Sequence, residues 1–284
     1  RQTPWSFANP KKNKSKEALI IGSGLAGCFI AYSLALRGWS VKLLESGHRL
    51  ASGASGIPQA LLYPKITRYR SPLNTLMLST FLFAHRTYKH FLAEWPVGEL
   101  LGMIQLAYNQ KEERSQEELS EWLTSYPDLG RLVSPDEATK LAGLDLVSSG
   151  LYVPLSGWIN CPLLCQYLIA SPRIQWIPNT VIDELTYKDE AWYANDYVAD
   201  VLVIANGDGA TSFEQTQHIP LKKIRGQMTW MNSKVDSQSM RIPVCAEIHL
   251  LPEQQGTHLL GATYHSNRDD RVCDDRDDES NLSK

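Results

Sequence analysis

Apolar positions along the chain fall into two periodicities. Short runs apolar on both faces, at 18–21 and 201–205, predict parallel strands buried from both sides, and 41–44 reads as a further strand. From 25 to Arg37 the spacing is helical, and Gly38 stops it. A long helix is expected over 72–95, with Leu73, Leu76, Met77, Thr80, Phe81, Ala84, Tyr88, Phe91 and Leu92 on one stripe. A polar surface helix is expected over 112–123. Ser134-Pro-Asp-Glu137 has the capping-box form with proline at the first helical position, so a short helix starts there. Asn160-Cys-Pro162 opens another, running to about Ala170. Segments 100–107, 150–154, 174–177, 180–187 and 192–193 read as strands. From Pro220 alternating strands follow at 221–231, 243–251 and 257–263, and the acid-rich end of the chain reads as a mobile tail.

One stretch carries chemistry. The 18–21 strand runs into Gly22, Gly24 and Gly27 in G-x-G-x-x-G spacing, a helix follows, and the second strand ends on Glu45, 18 residues after Gly27. The first glycine permits the tight turn, the second lets backbone approach a pyrophosphate, and the third lets helix and strand pack closely. The helix N-terminus turns free N–H groups toward the phosphates, and a carboxylate at Glu45 accepts from ribose hydroxyls while repelling a 2′-phosphate. NAD and FAD share that adenosine half, so the unit admits either. The strand at 201–205 ends on Asn206-Gly207, and strand C-termini of a doubly wound sheet gather at one crevice, which places these two near Gly22–Gly27. The loop after Glu45, rich in Gly, Ser and Ala, lies where the rest of a dinucleotide would run.

Composition narrows the class. The 284 residues are 43% hydrophobic and 21% charged, ordinary for a globular protein of one large or two interleaved domains. No apolar run reaches the roughly 18 residues of a membrane span. The lysine-rich opening has no apolar core of a secretory signal and reads as a linker from a longer chain. Cys28, Cys161, Cys165, Cys245 and Cys273 form no CxxC pair and read as reduced thiols of a cytoplasmic protein. Neither a metal cluster nor a Ser/His/Asp set can be assembled. The net charge of −3 means that an anionic partner must be met by local basic patches. Candidates are Lys11, Lys12, Lys14 and Lys16; Lys65, Arg68 and Arg70; and Lys222, Lys223 and Arg225.

In order along the chain, IIGSGLAG with LALRGW, GASG…QALLYP, GLYVPLSGW followed by CP, ADVLVIANG, IRGQ and LLGATY together resemble the glycine-oxidase-like branch of the D-amino-acid-oxidase flavoprotein family. Within it the chain is most similar to the oxidoreductase half of the bifunctional enzymes that modify the wobble uridine of tRNA. The resemblance implies an α/β fold: a Rossmann-like FAD-binding domain (17–95 and 143–215) interleaved with an antiparallel-sheet α+β substrate domain (96–142 and 216–264). Residues 1–16 would be a linker to a methyltransferase partner and 265–284 an acidic tail, with the fold truncated at its C-terminus.

Residue by residue, it implies that Gly22, Gly24, Leu25, Ala26 and Gly27 hold the pyrophosphate, and Glu45 with Ser46 the ribose. Ala54, Ser55, Gln59, Ala60 and Leu61 would pass along the FAD, Val181 would pair with adenine, and Asn206 and Gly207 would lie beside the phosphates. The implied reaction is oxidation of a secondary amine: 5-carboxymethylaminomethyluridine in tRNA loses its carboxymethyl arm as glyoxylate, leaving aminomethyluridine. Where the branch often has a substrate-facing Tyr, this chain has His249, a candidate substrate contact. Where close relatives often show Asn-Arg, it has Ile57-Pro58. A free glycine or amino-acid oxidase of the same fold is a second reading. An inactive flavin-fold module that only binds tRNA or a methyltransferase partner is a third.

Overall fold

The structure, a computed structural model, describes residues 15–64, 66–67 and 71–284. The chain divides into two compact units, one of Arg1–Pro58 with Cys161–Lys222 and one of Gln59–Asn160 with Lys223–Lys284.

The first unit is built on a four-stranded parallel sheet. Its two central strands are β1 (Glu17–Ile21) and β2 (Ser40–Leu44), flanked by Val201–Ile204 beside β1 and Ile174–Ile177 beside β2. Helix α1 (Leu25–Leu36) returns the chain from β1 to β2 as the crossover that a parallel pair requires. Small buried residues on α1 (Gly27, Cys28, Ala31 and Ala35) let it pack closely on the Cys161–Leu168 helix. The thiols of Cys28, Cys161 and Cys165 are core groups there, and burial pushes Cys161 up to about 12. The strand expected to be buried from both sides at 201–205 is instead an edge strand and only half-buried. The strand expected over 180–187 begins only at Leu185, because the Asn195 side chain takes up the backbone ahead of it. Its Nδ2 donates to the Val181 carbonyl (2.9 Å), and its Oδ1 accepts from the Asp183 N–H (3.2 Å).

The second unit carries a seven-stranded sheet in the order Met228–Asn232, Thr257–Gly261, His249–Leu250, Val244–Cys245, Met103–Leu106, Gly150–Val153 and Arg131–Val133. It is antiparallel except between Val244–Cys245 and Met103–Leu106. A smaller sheet pairs Gly157–Ile159 with both Ala60–Leu62 and Gly98–Glu99. Segments 59–95 and 143–160, expected with the first domain, belong to this unit for that reason. The long helix α2 (Pro72–Leu92) also packs here, setting Leu78 and Leu82 on the core of Met103, Leu119, Leu123, Leu151 and Val153. Ser71 caps it, accepting from the Asn74 N–H at 3.1 Å. The expected stripe is misplaced at its N-terminal half: Leu73, Leu76 and Met77 are 64%, 59% and 45% exposed, while Phe81 and Phe91 are buried. The capping box at Ser134 forms as expected, with Pro135–Ala142 helical and the Ser134 hydroxyl accepting from the Glu137 N–H.

The acid-rich end is not a mobile tail. Asp275–Leu282 is a helix docked on the Met228–Asn232 strand by a buried polar network. The Arg225 guanidinium pairs with Asp277 and donates to Gln227 Oε1 (3.0 Å). Asp277 also holds His265 at 2.6 Å, and Asn281 Nδ2 donates to the Gln227 carbonyl (2.9 Å) and to Thr229 (3.0 Å). The acids read in sequence as part of a mobile tail are here counter-charges to Arg225 and Arg268, and hydrogen bonds from Arg225 and His265 hold the Asp277 carboxyl below its ordinary value.

Candidate functional site

The register of the parallel sheet assembles the site in the first unit. Ile21 lies opposite both Leu44 and Ile204, and Leu44 opposite Ile177, so four strands end level. The next residues, Gly22, Glu45 and Ala205-Asn206, are neighbours by construction. Gly22 has φ +98°, and a Cβ there would sit 2.6 Å from the Ala205 carbonyl oxygen. A Cβ on Gly27 would sit 1.9 Å from the Gly22 carbonyl oxygen, so the first and third glycines are required by packing alone. Gly24 differs. Its φ of −70° suits any residue, and the nearest atom to an added Cβ is the Ser55 hydroxyl at 3.2 Å. It keeps open the space in front of α1, whose first N–H, on Leu25, donates to Ser55 Oγ at 2.9 Å. An oxygen therefore already sits where the helix N-terminus calls for one. Ala26, next along, is exposed.

Glu45 is buried and saturated. Its Oε2 accepts from the Ser23 N–H (2.9 Å) and hydroxyl (2.7 Å). Its Oε1 accepts from the Gly47 N–H (2.9 Å) and Ser52 hydroxyl (3.0 Å), with the Ser46 hydroxyl at 3.4 Å. Burial pushes this carboxyl up, but the hydrogen bonds from Gly47, Ser23 and Ser52 outweigh it and leave the pKa below the ordinary value. The same contacts fold the Gly47–Gly56 loop back onto the glycine turn, helped by Ala51 N–H donating to the Ser23 carbonyl (3.1 Å). Ala54, Ser55 and Gly56 form a short 3-10 turn in that loop. Asn206 Oδ1 is buried with no hydrogen-bond partner among the described residues, and Gly207 follows it at φ +61°. Val181 is 58% exposed next to Thr180, whose N–H donates to the Glu45 carbonyl (2.8 Å).

Gln59, Ala60 and Leu61 fall in the second unit, on the Ala60–Leu62 strand. Gln59 is buried, its Nε2 donating to the Pro252 carbonyl (3.0 Å) while its Oε1 has no partner among the described residues. The same segment brings Tyr63 edge-on to His249, ring centroids 5.4 Å apart. His249 Nδ1 is buried and has no partner among the described residues, and burial pushes the imidazole pKa below its ordinary value. Ser23, Ser52 and Tyr63 were not foreseen. The Ser- and Gly-rich loop hinted at close contacts, but which hydroxyls turn back to Glu45 depends on how the loop folds.

Of the basic clusters, Lys11, Lys12, Lys14, Lys65, Arg68 and Arg70 lie outside the described residues. Arg225 is removed from the third, being buried against Asp277. Among the described residues no three metal-ligating side chains come together, and no helix is long and apolar enough to cross a membrane.

The family model for FAD dependent oxidoreductases (DAO) matches residues 17–284. The chain is 42% identical, over its whole length, to the tRNA 5-methylaminomethyl-2-thiouridine biosynthesis bifunctional protein MnmC of Legionella pneumophila, and covers 43% of that protein. It is 37% identical to the protein of the same name from Chromobacterium violaceum, covering 44% of it with 99% of its own length. It thus spans less than half of the curated relatives it matches. Among solved structures it resembles glycine oxidase from Geobacillus kaustophilus, with a TM-score of 0.78, 20% identity, and 94% of this chain covering 76% of that one. That likeness bears out the α/β FAD-binding fold.

Two outcomes are expected here. Gly24→Val abolishes flavin content and melts near the flavin-free parent, whereas Gly27→Ala lowers the melting temperature below it; a Gly24→Val protein that purifies fully flavinated contradicts the geometry. Because the folded pKa of Glu45 is depressed, its ionised form stabilises the fold above the ordinary carboxylate range, and that stability is lost as pH falls through the folded value. A melting-temperature series from pH 7 to 3 is therefore steeper for the parent than for Glu45→Gln, which is already less stable at pH 7.

Proposed function

Because the chain belongs to the FAD-dependent oxidoreductase family, we propose that it is the amine-oxidising half of a tRNA-modifying enzyme. Its substrate is 5-carboxymethylaminomethyl(-2-thio)uridine at the wobble position, and its products are glyoxylate and aminomethyluridine. A methyltransferase activity, in the same polypeptide or as a partner, would complete the bifunctional enzyme. The observation that carries this reading is the 42% identity over the entire chain to a protein named for that tRNA product, joined to an intact dinucleotide turn.

The residues present fit FAD. Gly24 leaves a cradle that a side chain would fill, Ser55 Oγ marks an oxygen position at the N-terminus of α1, and Asn206 Oδ1 is an orphaned buried acceptor beside Gly22. Gly22, Gly24, Leu25, Ala26 and Gly27 would hold the pyrophosphate with Asn206 and Gly207, and Glu45 and Ser46 the ribose. A carboxylate has about four lone-pair sites, and those of Glu45 are already taken. Ribose hydroxyls would therefore bind by replacing the hydroxyls of Ser23 and Ser52. Ala54, Ser55, Gln59, Ala60 and Leu61 would line the rest of the cofactor, with Val181 beside adenine. When bound, FAD supplies the hydride acceptor for the C–H next to nitrogen.

The chain's own contribution is to bind and orient the amine. His249 is uncharged at neutral pH, and its free Nδ1 offers a hydrogen bond to the substrate without presenting a positive charge to an ammonium. Tyr63 holds the ring from one side.

The test uses purified chain, tRNA carrying the carboxymethylaminomethyl group, and free glycine. Flavin absorbance with glyoxylate released from the tRNA and not from glycine is expected. Turnover of glycine alone assigns the chain to the amino-acid oxidases, and colourless protein to an inactive module. In the active enzyme His249→Asn, which keeps a polar atom where Nδ1 lies, retains KM within a few-fold. His249→Phe raises it by about tenfold, the effect of losing one hydrogen bond worth about 1.4 kcal/mol. Equal KM values in both variants remove His249 from the substrate.

A further inference from the structure

We infer that the outward face of α2 is the surface on which the tRNA docks, an assignment that rests on the tRNA reading above. A protein of net charge −3 presents an RNA backbone with repulsion unless some region is free of acids. The longest such region is residues 46–93, 48 residues without Asp or Glu, carrying Arg49, Lys65, Arg68, Arg70, Arg86 and Lys89. Helix α2 lies within it and contains no acid at all. Arg86 and Lys89 are exposed on the helix and have no carboxylate partner among the described residues.

The orientation of α2 is fixed from inside. Leu78 and Leu82 sit on the core of the second unit, Phe81 is buried, and His85 Nδ1 lies 2.8 Å from the Leu155 carbonyl oxygen. At about 100° per residue the face opposite Phe81 and His85 presents Leu76 and Phe83. These are 59% and 65% exposed, a short apolar stripe of a kind that marks a binding surface. His90 and Arg86 continue that face toward the C-terminal end of the helix. A stripe on a helix that carries cations and no acids suits nucleic acid: Arg86 meets phosphates, Phe83 offers a stacking plane and Leu76 contacts ribose. An acidic protein would be the competing occupant, and it differs in how salt affects binding.

The experiment measures retention of a tRNA transcript with uridine at the wobble position, between 50 and 200 mM salt. Circular dichroism melting confirms that each variant is folded. Arg86→Gln is expected to weaken binding several-fold and to lower the slope of log K against log salt by about one. Leu76→Ala with Phe83→Ala is expected to weaken binding at every salt with the slope unchanged. If the parent binds with a salt slope and both variants match it, the face is wrong while the tRNA reading stands. If the parent does not bind, both fall. Sedimentation adds a second arm: a self-associating parent that only Leu76→Ala with Phe83→Ala renders monomeric, without loss of RNA affinity, gives the stripe to a second copy of the chain and overturns the assignment.

Discussion

The first unit depends on how closely four parallel strands end at one level. Pairing of Ile21 with Leu44 and Ile204, and of Leu44 with Ile177, brings Gly22, Glu45, Pro178 and Ala205 into one row. At that row there is no space for a side chain on Gly22, whose backbone lies against the Ala205 carbonyl, nor on Gly27, which lies against Gly22. These two contacts set the turn from β1 into α1 and with it the direction of the helix N-terminus. Gly24 differs: the nearest atom to an added Cβ there is a side-chain hydroxyl, that of Ser55 at 3.2 Å, and not backbone.

Glu45 links this turn to the loop beyond it. An ionised carboxylate in so buried a place is stable only because serine hydroxyls and backbone N–H groups surround it. Those donors come from both sides of the site, Ser23 on the glycine turn and Gly47 and Ser52 on the loop. One acid thereby fixes the loop against the turn and uses hydroxyls that a ribose can exchange with. The site is held in shape by groups of the same chemistry as its proposed ligand.

Charge is distributed unevenly through the second unit. Acids of the Asp275–Leu282 helix and the segment before it neutralise Arg225 and Arg268 and pin the helix to the sheet. Its long helix α2 carries none. A buried ion pair with a full set of hydrogen bonds fixes one arrangement of strand and helix more than it adds to stability. The two regions have different consequences: one locks an element down, the other leaves a face without negative charge.

The sequence by itself determined the dinucleotide turn, because strand, glycine spacing, helix and terminal acid are all local and each follows from backbone geometry within some thirty residues. The same holds for the Ser71 and Ser134 caps and for the central strand pair, whose apolar runs have no other stable environment. What distant parts of the chain do to one another was not legible. The apolar residues of α2 gave the helix but not its buried face, since Leu73, Leu76 and Met77 lie as regularly spaced as Leu78 and Leu82. The strand at 201–204 has the composition of a central strand and lies at an edge, because composition does not specify the number of neighbours. The acidic end looked solvated until Arg225, about fifty residues earlier, supplied its counter-charge. In each case the deciding contact spans a sequence separation over which a local pattern carries no information, so only tertiary packing could select it.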